Sequence, residues 1–128
     1  DSYIEKRRWI FDYYCNHLKS IDGIQFMPNI HNGESTHWLS VILLDRLSHK
    51  KIETIIKKFS KNNIEIRPIW KPMHLQPVFE GFDFFHVKKK PLSKFLFKHG
   101  LCLPSGSNLS KTDLDRIIHL LINETLSN

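Results

Sequence analysis

The sequence predicts a single α+β domain in which helices pack on a small β-sheet. Segments with the 3.6-residue periodicity of amphipathic helices alternate along the chain with short segments rich in β-branched and aromatic residues. The length of 128 residues suits one domain, and an apolar fraction of 41% is sufficient for a core. The order α, β, α, β, α, β, α, without repeat or linker, predicts four helices and about three strands.

The first helix is expected from about Ser2 to Leu18. Ser2 and Glu5 have the spacing of a capping box, in which two side chains accept hydrogen bonds from unpaired backbone N–H groups. Apolar residues recur behind them at helical spacing, and Gly23 ends the pattern. A short extended segment at 24–27 and a polar loop at 28–36 are expected to follow.

Residues 37–67 predict a strand, a helix and a second strand. The apolar run HWLSVILL, 37–44, indicates a strand that is buried on both faces. Ser48 is the expected N-cap of the helix, because apolar residues then recur at i, i+3, i+4 and i+7: Ile52, Ile55, Ile56 and Phe59. Ile64 and Ile66 alternate with charged residues, which is typical of a strand.

An unusual stretch, IEIRPIWKPMHLQPVF, occupies residues 64–79 and contains three prolines. Proline fixes φ and has no backbone N–H, so Pro72 and Pro77 exclude an α-helix or inner strand there. The stretch is therefore expected to be stiff and irregular. The polar and aromatic side chains that it holds in fixed directions are Trp70, Lys71, His74 and Gln76.

The C-terminal part predicts two more helices around a strand. An irregular aromatic segment is expected at 80–90, and Pro91 can occupy the first turn of a helix that ends before Gly100. The segment LCLP, 101–104, predicts the third strand. Ser110 and Asp113 indicate a capped final helix, whose apolar stripe is Leu114, Ile117, Ile118, Leu121 and Ile122.

The formal net charge of +6 leaves a nucleic-acid or polyanion partner as an alternative. The basic residues are spread over predicted helix faces that contact solvent, however, so we expect no nucleic-acid partner. No apolar run approaches the length of a membrane span, and the chain opens on a charged segment. We therefore expect a cytoplasmic protein without a membrane partner.

No metal site or disulfide is expected. Cys15 and Cys102 form no CxxC pair, and Cys102 lies among apolar residues, where cysteine usually behaves as a small core residue. His31 and His37 flank the segment NGEST, but their spacing fits no compact metal motif.

His74 is the strongest candidate for chemistry, because a rigidly held imidazole can bind an anion, donate to a substrate oxygen or transfer a proton near neutral pH. The alternative is a structural histidine that bonds to nearby backbone within the turn. Trp70 is either a packing anchor or a stacking platform, and Lys71 either a phosphate contact or a solvated cation. No set of nucleophile, base and acid is present as a motif.

Two motifs in order resemble the C-terminal part of the pyridoxal-phosphate-dependent nucleotide-sugar aminotransferases, the DegT/StrS family. The stretch IRPIWKPMHLQPVF is followed by KFLFKHGLCLPSGSNLSKTDLDRII, and STHWLSVIL and KRRWIFDYY resemble earlier family segments. The residues that match the two motifs are Arg67, Pro68, Trp70, Pro72, Met73, His74, Gln76, Gly100, Leu103, Pro104, Ser105 and Gly106. His86 and Lys88–Lys90 match no family pattern.

This resemblance implies the C-terminal small domain of a fold-type I aminotransferase, over residues 1–128. The large domain, with pyridoxal phosphate and its Schiff-base lysine, is absent from the chain, which implies no catalytic residue here and no transamination by the chain alone. The complete enzyme is expected to transfer an amino group from an amino-acid donor to a nucleotide-linked keto sugar, UDP-4-keto-6-deoxy in type, for surface polysaccharide or glycan. It is also expected to be a homodimer.

The resemblance implies a substrate-binding role for five residues: His74, Trp70, Lys71, Gln76 and Trp38. They would form one wall of a cleft that the large domain completes, with the NGEST segment as a weaker candidate for its edge. The alternative function is a freestanding module that binds a nucleotide sugar or a polyanion.

Overall fold

The computed structural model describes residues 1–28, 32–85, 87 and 91–126. It contains helices α1 (Ser2–Leu18), α2 (His49–Lys61), α3 (Leu92–His99) and α4 (Lys111–Leu126). The strands are β1 (Ile24–Phe26), β2 (Ser40–Leu44), β3 (Arg67–Pro68) and β4 (Gly100–Leu103). Two single-turn 3-10 helices occupy Met73–Leu75 and Pro77–Phe79. The α+β class is confirmed, and β1 adds a fourth strand to the predicted three. The strand predicted at Ile64 and Ile66 is wrong there, because β3 begins only at Arg67.

The four strands form one antiparallel sheet in the order β1-β2-β4-β3. At its centre, β2 pairs with β4 from Ser40 opposite Leu103 to Leu43 opposite Gly100. The short β3 pairs only through Arg67 and Pro68, because the prolines that follow remove ladder donors. The last strand in sequence, β4, therefore lies between β2 and β3. The segment of Trp38, before β2, and the segment of Trp70, after β3, consequently lie on either side of β4.

One face of the sheet carries the core. Ile42 and Leu44 of β2 and Leu101 and Leu103 of β4 are buried there, against apolar residues of the long helices. The helix residues in this cluster include Ile10, Tyr14 and Leu18 of α1, Ile52, Ile55 and Phe59 of α2, and Leu114, Ile117, Ile118 and Leu121 of α4. Burial of these stripes explains why each amphipathic segment is a helix in this fold.

Two polar contacts join α1 to the C-terminal part of the chain. The Tyr14 hydroxyl donates to the Pro104 carbonyl oxygen at 2.9 Å, and burial raises the pKa of this phenol. The Tyr13 hydroxyl donates to an Asp115 carboxylate oxygen at 2.5 Å. Together they fix α1 relative to α4 and to the end of β4.

Some helix starts agree with the predicted caps and one does not. The Ser48 hydroxyl accepts from the Lys51 N–H at 3.2 Å, and Ser110 and Asp113 form the reciprocal box. The predicted capping box at Ser2 is wrong, because Ser2 is already helical and Asp1 occupies the N-cap. The Asp1 carbonyl accepts from the Ile4 and Glu5 N–H groups, so backbone geometry alone starts α1.

The strand predicted at 37–44 is shorter and less buried than expected. It begins at Ser40, because His37 has a φ of 46°, which is incompatible with an extended strand. Its burial alternates, with Val41 and Leu43 only half-buried. The second face of the sheet is thus only partly covered, and the tryptophan-bearing groove described below includes part of it.

None of the helices in the described ranges combines the length and hydropathy that a membrane-spanning segment requires.

Candidate functional site

Trp38 and Trp70 form an exposed aromatic pair. Their ring centroids are 5.8 Å apart and the ring planes differ by 29°, which is a tilted stack. The side chains are 61% and 64% exposed, although Trp is normally among the better buried residues. Two large aromatic rings that contact each other and leave most of their surface open provide an apolar platform for a ligand or a partner surface.

The aromatic pair lines a groove of about 480 Å³ beside β3 and β4. Ile69, Phe97 and Cys102 make the groove apolar, while Lys71 and Arg67 bring positive charge to it. The Arg67 guanidinium is already held by a Glu65 carboxylate oxygen, at 2.9 Å from Nε and 2.7 Å from Nη2. Lys71 is exposed and contributes a cationic group at the groove.

Cys102 was predicted as a core residue, and its burial agrees with that prediction. It is buried, and loss of solvation raises the pKa of its thiol. Cys15 is half-buried, and burial is also the main cause that raises its pKa, to about 11. Neither environment favours the thiolate form that a reactive cysteine needs.

Gly100 lets the chain before Trp70 lie directly on β4. A Cβ at position 100 would collide with the Ile69 side chain and would lie 2.7 Å from the Leu96 carbonyl oxygen. The Ile69 N–H donates to the Gly100 carbonyl oxygen at 3.2 Å, which fixes this close approach. Glycine is therefore required by space, since the φ of −98° suits any residue.

We expect Gly100→Ala to lower the free energy of unfolding by about 1–3 kcal/mol, because a methyl group forced into a packed site displaces its neighbours. Urea denaturation of the chain measures this loss. Gly106→Ala is the matched control, since its Cβ would meet the Asn108 side-chain oxygen, which can rotate away. Equal stability of the Gly100→Ala and wild-type chains would contradict the steric argument.

His74 lies in the turn that follows the groove. Its ring stacks on Phe84 with centroids 3.7 Å apart and planes 18° from parallel. The side chain is half-buried and lies outside the apolar core, while Nε2 is shielded from solvent without a hydrogen-bond partner among the described residues. A shielded nitrogen without a partner is unfavourable in isolation, and such groups are frequent where a ligand or another protein surface completes a site.

The turn around His74 is braced by its own backbone and by Gln76. The Leu75 N–H donates to the Pro72 carbonyl oxygen at 3.0 Å, and the Gln76 N–H to that of Met73 at 2.9 Å. The Gln76 side-chain amide donates to the Lys71 carbonyl oxygen at 3.1 Å. Gln76 therefore joins the turn to the residue after Trp70, and the prediction of an irregular segment is confirmed.

The predicted site residues thus fall into two neighbouring parts. Trp38, Trp70 and Lys71 line one groove, whereas His74 stacks on Phe84 and Gln76 bridges back to Lys71. Sequence reasoning missed Phe84 and Phe97. The sequence signal for Phe84 was the aromatic content of the segment 80–90. Within that segment, His86 and Lys88–Lys90 lie outside the described residues.

The NGEST segment, residues 32–36, is hydrogen-bonded to α1. The Arg8 guanidinium donates to the Ser35 carbonyl oxygen at 2.9 Å and to a Glu34 carboxylate oxygen at 2.9 Å. His37, just after this segment, is buried, and desolvation lowers its pKa, with the Arg8 charge acting in the same direction and Asp12 opposing both. His31 lies outside the described residues.

A run of apolar side chains after the turn faces solvent. Exposed residues between 78 and 87 include Val78, Phe82, Phe85 and Val87. These apolar side chains are exposed in the described chain, and exposed apolar surface of sufficient size is typical of interaction sites. No group of three or more histidine, cysteine or acidic side chains suitable for a metal occurs among the described residues.

Comparison with known proteins gives one consistent result. The model of the DegT/DnrJ/EryC1/StrS aminotransferase family matches residues 1–122. The Bacillus subtilis protein named "Putative pyridoxal phosphate-dependent aminotransferase EpsN" is 41% identical over 95% of this chain, and the dTDP-4-amino-4,6-dideoxy-D-glucose transaminase of Escherichia coli is 29% identical over 93%. The chain spans about a third of the length of these relatives, 31% and 32%.

Solved structures share the fold. The Streptococcus pneumoniae protein named "Putative sugar aminotransferase Spr1654", in its PMP form, superposes with a TM-score of 0.84 at 22% identity, over 97% of this chain and 31% of its own. Helicobacter pylori PseC, an aminotransferase of pseudoaminic acid biosynthesis, superposes with a TM-score of 0.81 at 17% identity, over 95% of this chain and 32% of its own.

Proposed function

Because this chain belongs to the DegT/DnrJ/EryC1/StrS aminotransferase family, we propose that it is the C-terminal small domain of a pyridoxal-phosphate-dependent sugar aminotransferase. The observation that carries the proposal is the groove of Trp38, Trp70 and Lys71, an exposed, partly apolar surface on a chain that spans a third of its relatives. A cleft wall has these properties when the domain that completes it lies elsewhere in the protein.

The described lysines of this chain do not fit the cofactor's covalent site. Every described lysine is exposed or half-buried, whereas an imine-forming lysine works in a closed site that lowers its pKa. Pyridoxal phosphate supplies the electron sink for amino transfer when it is bound in the complete enzyme. We place it mainly on the large domain, outside this chain, and expect no transamination by residues 1–128 alone.

The proposed substrate is a nucleotide-linked keto sugar, and the E. coli relative's name mentions a dTDP-linked amino sugar. The aromatic pair offers flat apolar faces for the C–H face of a sugar ring or for a base. Lys71 carries a positive charge that suits the phosphates, and the half-buried imidazole of His74 suits a hydroxyl or carboxylate oxygen of the sugar or amino donor. We retain a UDP-4-keto-6-deoxy sugar as the specific proposal.

The assignment of this chain to the small domain, with a large domain elsewhere in the enzyme, also accounts for the exposed apolar residues between 78 and 87. In the complete enzyme we propose that the large domain covers this surface, since such a patch is unfavourable in water. The complete enzyme is further proposed to be a cytoplasmic homodimer that uses an amino-acid donor and contributes to surface polysaccharide or glycan synthesis.

Trp38→Ala in the complete enzyme tests the proposal. We expect KM for the nucleotide sugar to rise about tenfold, equivalent to about 1.4 kcal/mol, with a small change in kcat, because the platform binds ground state and transition state alike. Steady-state kinetics measures both constants. Trp9→Ala on α1, where Lys6 lies 3.8 Å above the indole, is the matched control and should leave KM unchanged.

Two outcomes would count against this function. An unchanged KM in Trp38→Ala would show that the Trp38–Trp70 pair does not bind the nucleotide sugar. Tight binding of a UDP-sugar by the 128-residue chain alone would favour the freestanding module instead, because a cleft wall without its second domain should bind weakly.

A further inference from the structure

His37 combines three features that the proposed function does not use. Its φ of 46° lies in the left-handed region, which non-glycine residues adopt infrequently. Its imidazole is 9% exposed and stacks on the Phe11 ring of α1, with centroids 3.7 Å apart and planes 13° from parallel. Its Nδ1 is shielded from solvent and has no hydrogen-bond partner among the described residues.

His37 is the residue immediately before Trp38, and hydrogen bonds hold the chain on both sides of this pair. The His37 N–H donates to the Ser35 hydroxyl at 3.2 Å, and the Ser40 N–H donates to the Ser105 hydroxyl at 2.8 Å. Ser105 in turn donates to the Leu103 carbonyl oxygen at 3.0 Å. Trp38 therefore lies between a contact with α1 and a contact at the end of β4, while its own side chain stacks on Trp70.

We propose that His37 is a positioning residue for Trp38: its left-handed backbone, which the stack on Phe11 supports, directs the Trp38 indole onto Trp70. A residue in the ordinary β region would favour extended backbone at the step into Trp38. Successive side chains of a strand alternate between the two faces, so that change would re-orient Trp38 relative to the groove. The buried stack helps to hold this backbone conformation, and a residue that tolerates positive φ can adopt it without the ring.

The inference rests on the proposed function only in assigning a use to the aromatic pair, and its test needs no substrate. Two indoles in contact give an exciton couplet in the far-ultraviolet circular dichroism, which reports their mutual orientation. In the 128-residue chain we expect Trp38→Phe to abolish the couplet and Trp9→Phe to leave it in place. These two variants assign the signal to the Trp38–Trp70 pair.

The discriminating variants are His37→Ala and His37→Asn. Alanine is unfavourable at positive φ, whereas asparagine tolerates it. We expect His37→Ala to lose most of the couplet with the helical signal retained, and His37→Asn to keep most of it. A purely structural role for His37 would lower the unfolding midpoint of both variants while the folded fraction kept a full couplet.

Each variant alone can overturn the positioning role of His37, so the experiment remains decisive even if His37→Ala does not fold. A folded His37→Ala with an intact couplet overturns the proposal, and so does a folded His37→Asn that has lost it. In the complete enzyme, an intact KM in Trp38→Ala would refute the substrate role of the platform and leave the couplet result standing, so the two failures are distinguishable.

Discussion

His74→Ala in the complete enzyme is expected to lower kcat/KM about 100-fold, equivalent to about 2.7 kcal/mol. The His74 ring is fixed by its stack on Phe84, and its Nε2 has no hydrogen-bond partner among the described residues. Removal of one prearranged hydrogen-bonding group from a water-excluded site commonly costs a factor of about 10²–10³. Steady-state kinetics with the keto sugar and the amino donor varied in turn shows which of them His74 contacts.

The control for this variant is His119→Ala, since His119 lies exposed on α4 among residues that we assign no function. His74→Gln retains a hydrogen-bonding group and should recover part of the lost kcat/KM. Should His74→Ala retain wild-type turnover and affinity for both substrates, His74 would be a structural residue of the turn, which is the alternative that the sequence left open.

The helices of this fold are predictable because their signals are local. The stripe of Ile52, Ile55 and Phe59 in α2 needs only the helical period, and all three are buried as the period requires. The cap at Ser110 is likewise decided by a residue three positions away. Ser2 failed as a cap because a residue that resembles a cap in sequence still needs non-helical backbone, and that position falls to Asp1.

The site is harder to predict because it depends on residues that are distant in sequence. Trp38 and Trp70 come together through β4, which follows both in the chain yet pairs with β2 and β3. The stack of His74 on Phe84 depends on how an irregular aromatic segment folds back. His37 combines a positive φ with a stack on Phe11, and no local sequence pattern signals either feature.

Phe59→Ala is expected to cost the chain about 3–5 kcal/mol of unfolding free energy, because it deletes a core ring and leaves a cavity. Phe59 is fully buried in the cluster formed by α1, α2, α4 and the sheet. A loss of this size approaches the whole stability of a small domain, so the variant should be largely unfolded at moderate urea. Urea titration followed by circular dichroism measures the shift.

Phe82→Ala is the matched control, because it deletes the same atoms from a side chain that is 72% exposed. Its effect on the chain should stay within about 0.5 kcal/mol, as for most surface substitutions. If the large domain covers Phe82, the same substitution should destabilise the complete enzyme more than the chain, since it then removes buried apolar area. Equal losses for Phe59→Ala and Phe82→Ala in the chain would contradict the division between core and docking surface.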